Sequence, residues 1–442
     1  MKEHNARILA QGELRSNDTR QTGINNNDLI IGPSGAGKTR SYVKPNIMQC
    51  NGSMIVADTK GDLMGELGDL LRQNGYQVIH MDFTNPLHSD GYNPLDYVAF
   101  DTETGTYSQQ DIMTLCTALV PIEHRNDPYW ERSARNLLAA LVGYVLEYLP
   151  EEEHTLEYVI RLFTTTCSAP VPSMPTVRIY QPLLEELAEE NPNCFACRQY
   201  QLYSTVRDSS RTESCILSFL AEKLAPLSHD GPVHMYRNPK QIRFERLGQE
   251  KTAVFLHISD TDRSMDSLVN VFYTQALHVL CRTADCNFME HRLPVPVRIF
   301  FDDFATNARI PDFDNIISVI RSREIYASII LQSITQLNAI YGRERAMTII
   351  NNCDSCLYLG GQDLETAQYI AQKANKTVDS ILNMPLSRAY LFTRGQKPRE
   401  VQKFDLKTHP AYADSREGQQ VAVRAVRPAA VLAMEVKNDA IS

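Results

Sequence analysis

The sequence has no apolar run long enough for a membrane. Its most apolar stretch, LLAALVGYVL from Leu137 to Leu146, falls well short of the roughly 20 residues that a bilayer span requires, so it reads as a buried helix. The opening, MKEHNARILAQGELRSNDTR, has no apolar core; no secretory signal is expected there and the chain is expected to be soluble. Basic residues are not in excess either: 44 Lys and Arg stand against 53 Asp and Glu, a net charge of −9. Such a chain is no wholesale polyanion binder, and any nucleic acid must meet a local basic surface, including one formed on assembly. There is no internal repeat and no low-complexity segment. The ten cysteines are scattered, and the two C-x-x-C spacings, Cys194/Cys197 and Cys353/Cys356, lie far apart. They fit reduced structural cysteines, the cytosolic default, better than zinc, which needs four ligands brought together.

What is there points to a globular α/β protein. With 442 residues, 43% hydrophobic and 22% charged, the chain suits one large domain plus an inserted or appended one. Strand-length apolar runs recur: DLIIG (28–32), SMIVAD (53–58), YQVIHMDF (76–83), AVFLHIS (253–259), VRIFFDD (297–303), YASIILQS (326–333), SCLYLGG (355–361) and RAYLFTRG (388–395). Nearly continuous apolar character is the mark of strands buried on both faces of a parallel sheet. Helix-length segments such as Lys60–Asn74 and Asp312–Arg323 lie between most of them. The alternation stops in the middle, where WERSARNLLAALVGYVLEYL (130–149) reads as a helix and APVPSMP (169–175) as a loop. The expected division is therefore 1–96, the first part of a nucleotide-binding domain; 97–240, an inserted all-α domain; 241–415, the remainder of the first domain; and 416–442, a loosely ordered tail.

Residues 32–39, GPSGAGKT, satisfy G-x-x-x-x-G-K-[ST] between a strand and a helix, the context that makes the motif credible. Gly32, Gly35 and Gly37 let the backbone wrap a phosphate, and amides at the helix start point at the anion. The nucleotide-binding set is then Gly32, Pro33, Ser34, Gly35, Ala36, Gly37, Lys38, Thr39 and Arg40. Lys38 reaches the β- and γ-phosphates of ATP, and the Thr39 hydroxyl is a ligand for Mg2+. No N-K-x-D follows, which argues against a GTPase.

Asp302 ends an apolar strand, as a magnesium-holding aspartate does. Asp303 follows where the chain leaves the sheet and is placed to deprotonate an attacking water; a turn-forming acidic dipeptide is the plainer alternative. Gln332 lies near the carboxyl end of another strand, at the ligand crevice of an open sheet, where its amide can sense the γ-phosphate. A surface Gln is the alternative. Arg321 and Arg323 fit either a finger reaching a neighbouring subunit's γ-phosphate or solvated arginines at a helix end.

Several stretches together, DTRQTGINNNDLIIGPSGAGKTRSYVKPNI (18–47), SMIVADTKGDL (53–63), YNPLDY (92–97), DPYWERSARNLLAAL (127–141), FFDDFATNARIPDF (300–313) and IILQSITQL (329–337), resemble type IV secretion coupling proteins, the conjugative DNA-transfer ATPases of the TraG/TraD type. The likeness runs from about Asp18 to Gly395. It implies a RecA-like motor domain interrupted by an all-α domain and assembled as a hexameric ring. It also implies ATP hydrolysis coupled to transfer of relaxase-bound single-stranded DNA into a secretion channel at the inner membrane. By resemblance Lys38 and Thr39 serve phosphate and metal, Asp302 the metal, Asp303 the base position, Gln332 the sensor and Arg321 the finger. Members of this family usually carry N-terminal transmembrane helices, so the expected place is cytoplasmic, at the inner face of the membrane through partners or a missing anchor. Asp303 stands where the family usually has Glu. Two other readings stay open: a pump for double-stranded DNA or DNA-processing ATPase, and an ATP-binding docking receptor that hydrolyses poorly.

Overall fold

The computed structural model describes residues 5–122, 128–167, 177–207, 209–304 and 309–420. At the start, β1 (Ala6–Ala10) and β2 (Glu13–Ser16) pair as an antiparallel hairpin. Next come β3 (Asp28–Ile31), β4 (Ser53–Asp58) and β5 (Gln77–Asp82). Two short ribbons follow, β6 (Phe100–Asp101) with β7 (Thr106–Tyr107) and β8 (Thr166–Cys167) with β9 (Val177–Arg178). The remaining strands are β10 (Thr252–His257), β11 (Val297–Phe301), β12 (Ile325–Leu331), β13 (Ser355–Tyr358), β14 (Arg388–Thr393) and β15 (Arg399–Gln402).

Nine of these form one sheet in the order β15-β14-β13-β3-β12-β11-β4-β10-β5. From β13 to β5 every neighbouring pair is parallel. β14 runs antiparallel to both β13 and β15. Each of the eight apolar runs in the sequence is one of these strands. The ninth, β15, escapes notice because at the sheet edge it buries only Val401. Both faces of the sheet are covered: in β3, Leu29 and Ile31 join the core on one side and Ile30 the core on the other.

Between β5 and β10 the chain is mostly helical. The helix Tyr129–Tyr148 is its axis and buries Leu137, Leu138, Leu141, Val142 and Val145. It packs closely on the helix Phe195–Ser204 because position 143 is glycine; a Cβ there would lie 2.9 Å from the Phe195 ring. The long helix Asp266–Asn287 links these helices to the sheet, with Phe272 packed edge to face against both Tyr92 and Phe244 at the junction. Among the described residues no helix is long and apolar enough to cross a membrane. The loop expected at 169–175 and residues 421–442 of the expected tail lie outside the described residues.

The lower end of β3 is fixed by one buried carboxylate. Asp28 accepts hydrogen bonds from Arg7 Nε at 3.0 Å, the Tyr42 hydroxyl at 2.6 Å and Arg298 Nη1 at 3.3 Å. Arg7, itself fully buried, also donates to Asn26 Oδ1 at 2.6 Å. Removing one partner of a buried ion pair leaves an uncompensated charge, at a cost on the order of 3–5 kcal/mol. Arg7→Ala is therefore expected to shift the urea midpoint of the chain markedly downward. A variant within about 1 kcal/mol of the parent would show that Arg298 and Tyr42 alone satisfy Asp28.

Candidate active site

The phosphate-loop motif begins where β3 ends. Gly32 N donates to Leu331 O at 3.0 Å and Leu359 N to Ile31 O at 2.8 Å, so both parallel neighbours hold the loop's root. Gly35 and Gly37 adopt φ of 77° and 89°, the left-handed region open to glycine without strain. Gly32 is crowded: a Cβ there would lie 3.0 Å from the Cβ atoms of Ala36 and Leu359. Lys38 is buried, and its Nζ donates to Gly32 O at 2.9 Å and Pro33 O at 3.3 Å. The same ammonium is 3.8 Å from Asp303 Oδ1.

The acidic dipeptide meets the loop from β11. Thr39 Oγ1 donates to Asp302 Oδ2 at 3.3 Å, and Asp303 N donates to Asp302 Oδ1 at 3.0 Å. Burial and the neighbouring Asp303 charge push the Asp302 carboxyl up to about 6; Lys38 acts the other way. Asp303 takes a φ of 46°, a turn aspartate tolerates better than most residues. From β12, Gln332 Nε2 donates to Asp303 Oδ1 at 3.3 Å. A cavity of about 390 Å³ opens over these groups, lined by Ser34, Lys38, Thr39, Arg40, Asp302 and Asp303 among others. Lys38, Thr39, Asp302, Asp303 and Gln332 are thus brought together from three adjacent strands, β3, β12 and β11.

Arg321 is not brought to them. It sits before β12, at the other end of a seven-residue strand, or about 20 Å away at ~3.3 Å per residue. Its guanidinium has no partner among the described residues, whereas Arg323 is held by Asp285 at 2.8 and 2.7 Å. Arg40 lines the cavity and pairs with Glu417 at 2.9 Å.

The structure adds residues that sequence reasoning passed over. Lys403 Nζ donates to Ala36 O at 3.0 Å and Leu359 O at 2.9 Å, clasping the phosphate loop from beyond β15; burial lowers its pKa. No sequence pattern marks it. His257 ends β10, with Nδ1 3.1 Å from both Asp82 Oδ1 and Thr84 Oγ1. The rule that singled out Gln332, a polar residue at a strand's carboxyl end, finds His257 too. Its other face abuts Gly61 (φ 71°), where a Cβ would lie 2.8 Å from Nε2. Asp58, buried at the end of β4, accepts from Leu63 N at 2.7 Å and so anchors the DTKGDL turn along the cavity wall. The KPNI segment finds its reason as well. Asn46 Nδ2 and Oδ1 make a matched pair of 2.8 Å bonds with the Ile8 backbone, and Lys44 forms an ion pair with Glu66.

A family model described as type IV secretory system conjugative DNA transfer matches residues 2–381. Among curated proteins the chain is similar to Protein VirD4 of Agrobacterium fabrum, 22% identical over 367 residues, covering 82% of this chain and 52% of that one. It is also similar to the type IV secretion system-coupling protein VirD4 of Bartonella henselae, 20% identical over 411 residues, covering 90% and 61%. A third relative is the conjugal transfer protein TraG of Agrobacterium fabrum, 25% identical over 197 residues, covering 43% and 29%. The chain spans between 29% and 61% of the length of these relatives. Among solved structures, plasmid coupling protein TrwB in complex with ADP and Mg2+ superposes with a TM-score of 0.63 at 16% identity, covering 90% of this chain and 89% of that one. VirB4 of Thermoanaerobacter pseudethanolicus gives 0.53 at 14%, covering 91% and 97%. At these identities the likeness is one of fold, a RecA-like P-loop ATPase with a large, mostly parallel sheet.

The raised Asp302 carboxyl has a measurable consequence for the chain alone. Its folded-state value lies above the ordinary 3.8, so the folded state binds the extra proton and loses stability as pH rises from about 4 to about 6. At 1.36 kcal/mol per pH unit, the penalty above that window is about 3 kcal/mol. In chelator-containing buffer, Asp302→Asn should therefore be more stable than the parent at pH 7.5, with the gap closing below pH 4. A variant less stable than the parent at pH 7.5 would contradict this.

Proposed function

The chain belongs to the type IV secretory system conjugative DNA transfer family, and on that footing we propose that it is an ATP-driven coupling motor, recruiting relaxase-bound single-stranded DNA and feeding it to a type IV secretion channel. The observation that carries this reading is the meeting of Lys38, Thr39, Asp302 and Asp303 around one cavity, with Gln332 bonded to Asp303 from behind. That TrwB is described in complex with ADP and Mg2+ supports ATP and Mg2+ as the ligands here.

The residues fit both groups. Gly35 and Gly37 hold the loop open for close approach of a phosphate, and the Lys38 ammonium needs only to leave two loop carbonyls to reach it. A hydroxyl beside a carboxylate, Thr39 next to Asp302, is an oxygen donor set suited to Mg2+. When bound, Mg2+ would neutralise charge developing on the transferred phosphoryl group.

The chain's own groups then divide the work. Lys38, 3.8 Å from Asp303 Oδ1, would hold γ-phosphate oxygens of a bound nucleotide. Asp303 accepts a proton from the attacking water and releases it to solvent after each turnover. Gln332, donating to Asp303, holds the carboxylate in position and reads the state of the γ-phosphate. Arg321, away from its own chain's loop, acts on the nucleotide of a neighbour in a ring of copies, as arginine fingers do. A hexamer at the inner face of the membrane, bound to channel components, completes the proposal.

Hydrolysis with and without single-stranded DNA tests it. Lys38→Ala is expected to lose DNA-stimulated hydrolysis, and Asp303→Asn to fall at least about 100-fold, the range of a positioned base. Asp303 is shorter by a methylene than the usual Glu, which favours the docking receptor as second reading. An Asp303→Asn rate equal to the parent's would replace the motor with that receptor. Stimulation by duplex alone would replace it with a double-strand pump.

A further inference from the structure

A second cavity, of about 470 Å³, lies beyond the acidic end of β11 and gathers four arginines. Arg132 and Arg135 come from the helix Tyr129–Tyr148, Arg309 from the connection after β11, and Arg345 from the helix Arg343–Asn351. Among the described residues one carboxylate, Asp312, shares the lining. The chain as a whole carries a net charge of −9, so this concentration of positive charge is not a sample of its average surface.

Three of the four arginines make no ion pair with a carboxylate among the described residues. Arg135 Nε donates to the Val120 carbonyl at 2.6 Å. The fourth, Arg345, is ion-paired with Asp312 at 3.7 Å and Asp314 at 3.9 Å, so the free charge of the cavity rests on the other three. The guanidinium groups of Arg132 and Arg309 have no partner among the described residues. The floor beneath them is rigid: Arg309 N donates to Asn270 Oδ1 at 2.8 Å, and Ile310 N to the Tyr341 hydroxyl at 3.1 Å. Phe304 stacks on the Tyr341 ring at 5.7 Å. Guanidinium forks arranged this way match phosphate oxygens two at a time.

Exposed aromatic surface adjoins the cavity. Tyr129 is 45% exposed, and half-buried Trp130 packs edge-on against it. Tyr129 precedes Arg132 by three residues in one helix, so the two share a face. Phosphate-binding arginines beside an open aromatic ring are what a nucleic-acid strand needs and an acidic peptide does not: every base has a face to stack.

We propose that this arginine-lined cavity holds the phosphates of a single nucleic-acid strand, with a base stacked on Tyr129. The proposal rests on the reading above that the chain moves single-stranded DNA, and it says where the strand is gripped. Arg309 follows Asp303 by six residues on one connection, so grip and acidic end share a segment.

The test uses the full chain and a labelled oligothymidylate of roughly 20 nucleotides, with affinity measured across a salt series. The double variant Arg132→Gln/Arg309→Gln should bind at least about 10-fold more weakly, and its log–log salt slope should fall by about 1.4, or ~0.7 for each lost contact. Arg132→Lys/Arg309→Lys keeps the charges and should keep the slope. Tyr129→Ala should weaken the oligothymidylate but not an abasic strand of the same length. Should the Gln pair unfold, the Lys pair and Tyr129→Ala decide. Parental affinity and slope in the Gln pair would overturn the site while leaving the motor reading intact; no oligonucleotide binding by the parent chain would overturn both. Displacement of the strand by polyglutamate at equal charge would assign the cavity to an acidic protein. Displacement by millimolar inorganic phosphate would assign it to a free anion. Either result overturns the proposal.

Discussion

The carboxylate of Asp28 is the constraint on which the sheet's centre depends. A charge taken out of water must be paired, and its partners come from three distant parts of the chain: Arg7 in β1, Tyr42 in the helix after the phosphate loop, and Arg298 in β11. Tyr42 also bonds Ser328 of β12. The wide helical turn at Thr39–Val43 is what brings the Tyr42 hydroxyl down to this point. One end of β3 is thus pinned by side chains, while the other emits the loop that wraps Lys38. Any tilt of β3 would have to break several buried polar contacts together.

The chemistry sits at the opposite end of the same strands. There two carboxylates and an ammonium are crowded into one corner. Asp302 carries a raised pKa, Asp303 takes an uncommon backbone conformation, and Lys38 spends its hydrogen bonds on the loop's own carbonyls. Backbone strain and a shifted carboxyl of this kind cluster at ligand sites. The contrast between a base knitted by buried ion pairs and a rim that opens on a cavity, about one strand length apart, gives the domain its direction.

Much of this was legible in the sequence, for a physical reason. Strands covered on both faces must be apolar along their whole length, so eight strands of the large sheet stood out, from Asp28–Ile31 to Arg388–Thr393. Their carboxyl ends are where polar residues become conspicuous, which is how Asp302, Asp303 and Gln332 could be named together. β15 was invisible because an edge strand with exposed Arg399, Glu400 and Gln402 has no such signature. Its antiparallel pairing with β14 was equally hidden. Lys403 and Glu417 reach the nucleotide loop only because the chain folds back on itself, and nothing local in KFDL or SREG announces it. His257 obeys the same strand-end rule as Gln332 and is as legible in AVFLHIS as Gln332 is in YASIILQS.

The sheet order also sets a timetable. β3 precedes both of its neighbours, β12 and β13, by a long stretch of chain, and the lysine that clasps its loop is Lys403. On the ribosome, therefore, roughly 300 residues must follow β3 before it has either flank, and its loop acquires the Lys403 clasp about 70 residues later still. Until then a segment bearing a buried carboxylate and a run of exposed apolar residues has no partner, which makes it a natural client for chaperones during growth of the chain. A nucleotide-ready loop is, by construction, a certificate that the strands on both sides of it have already been made.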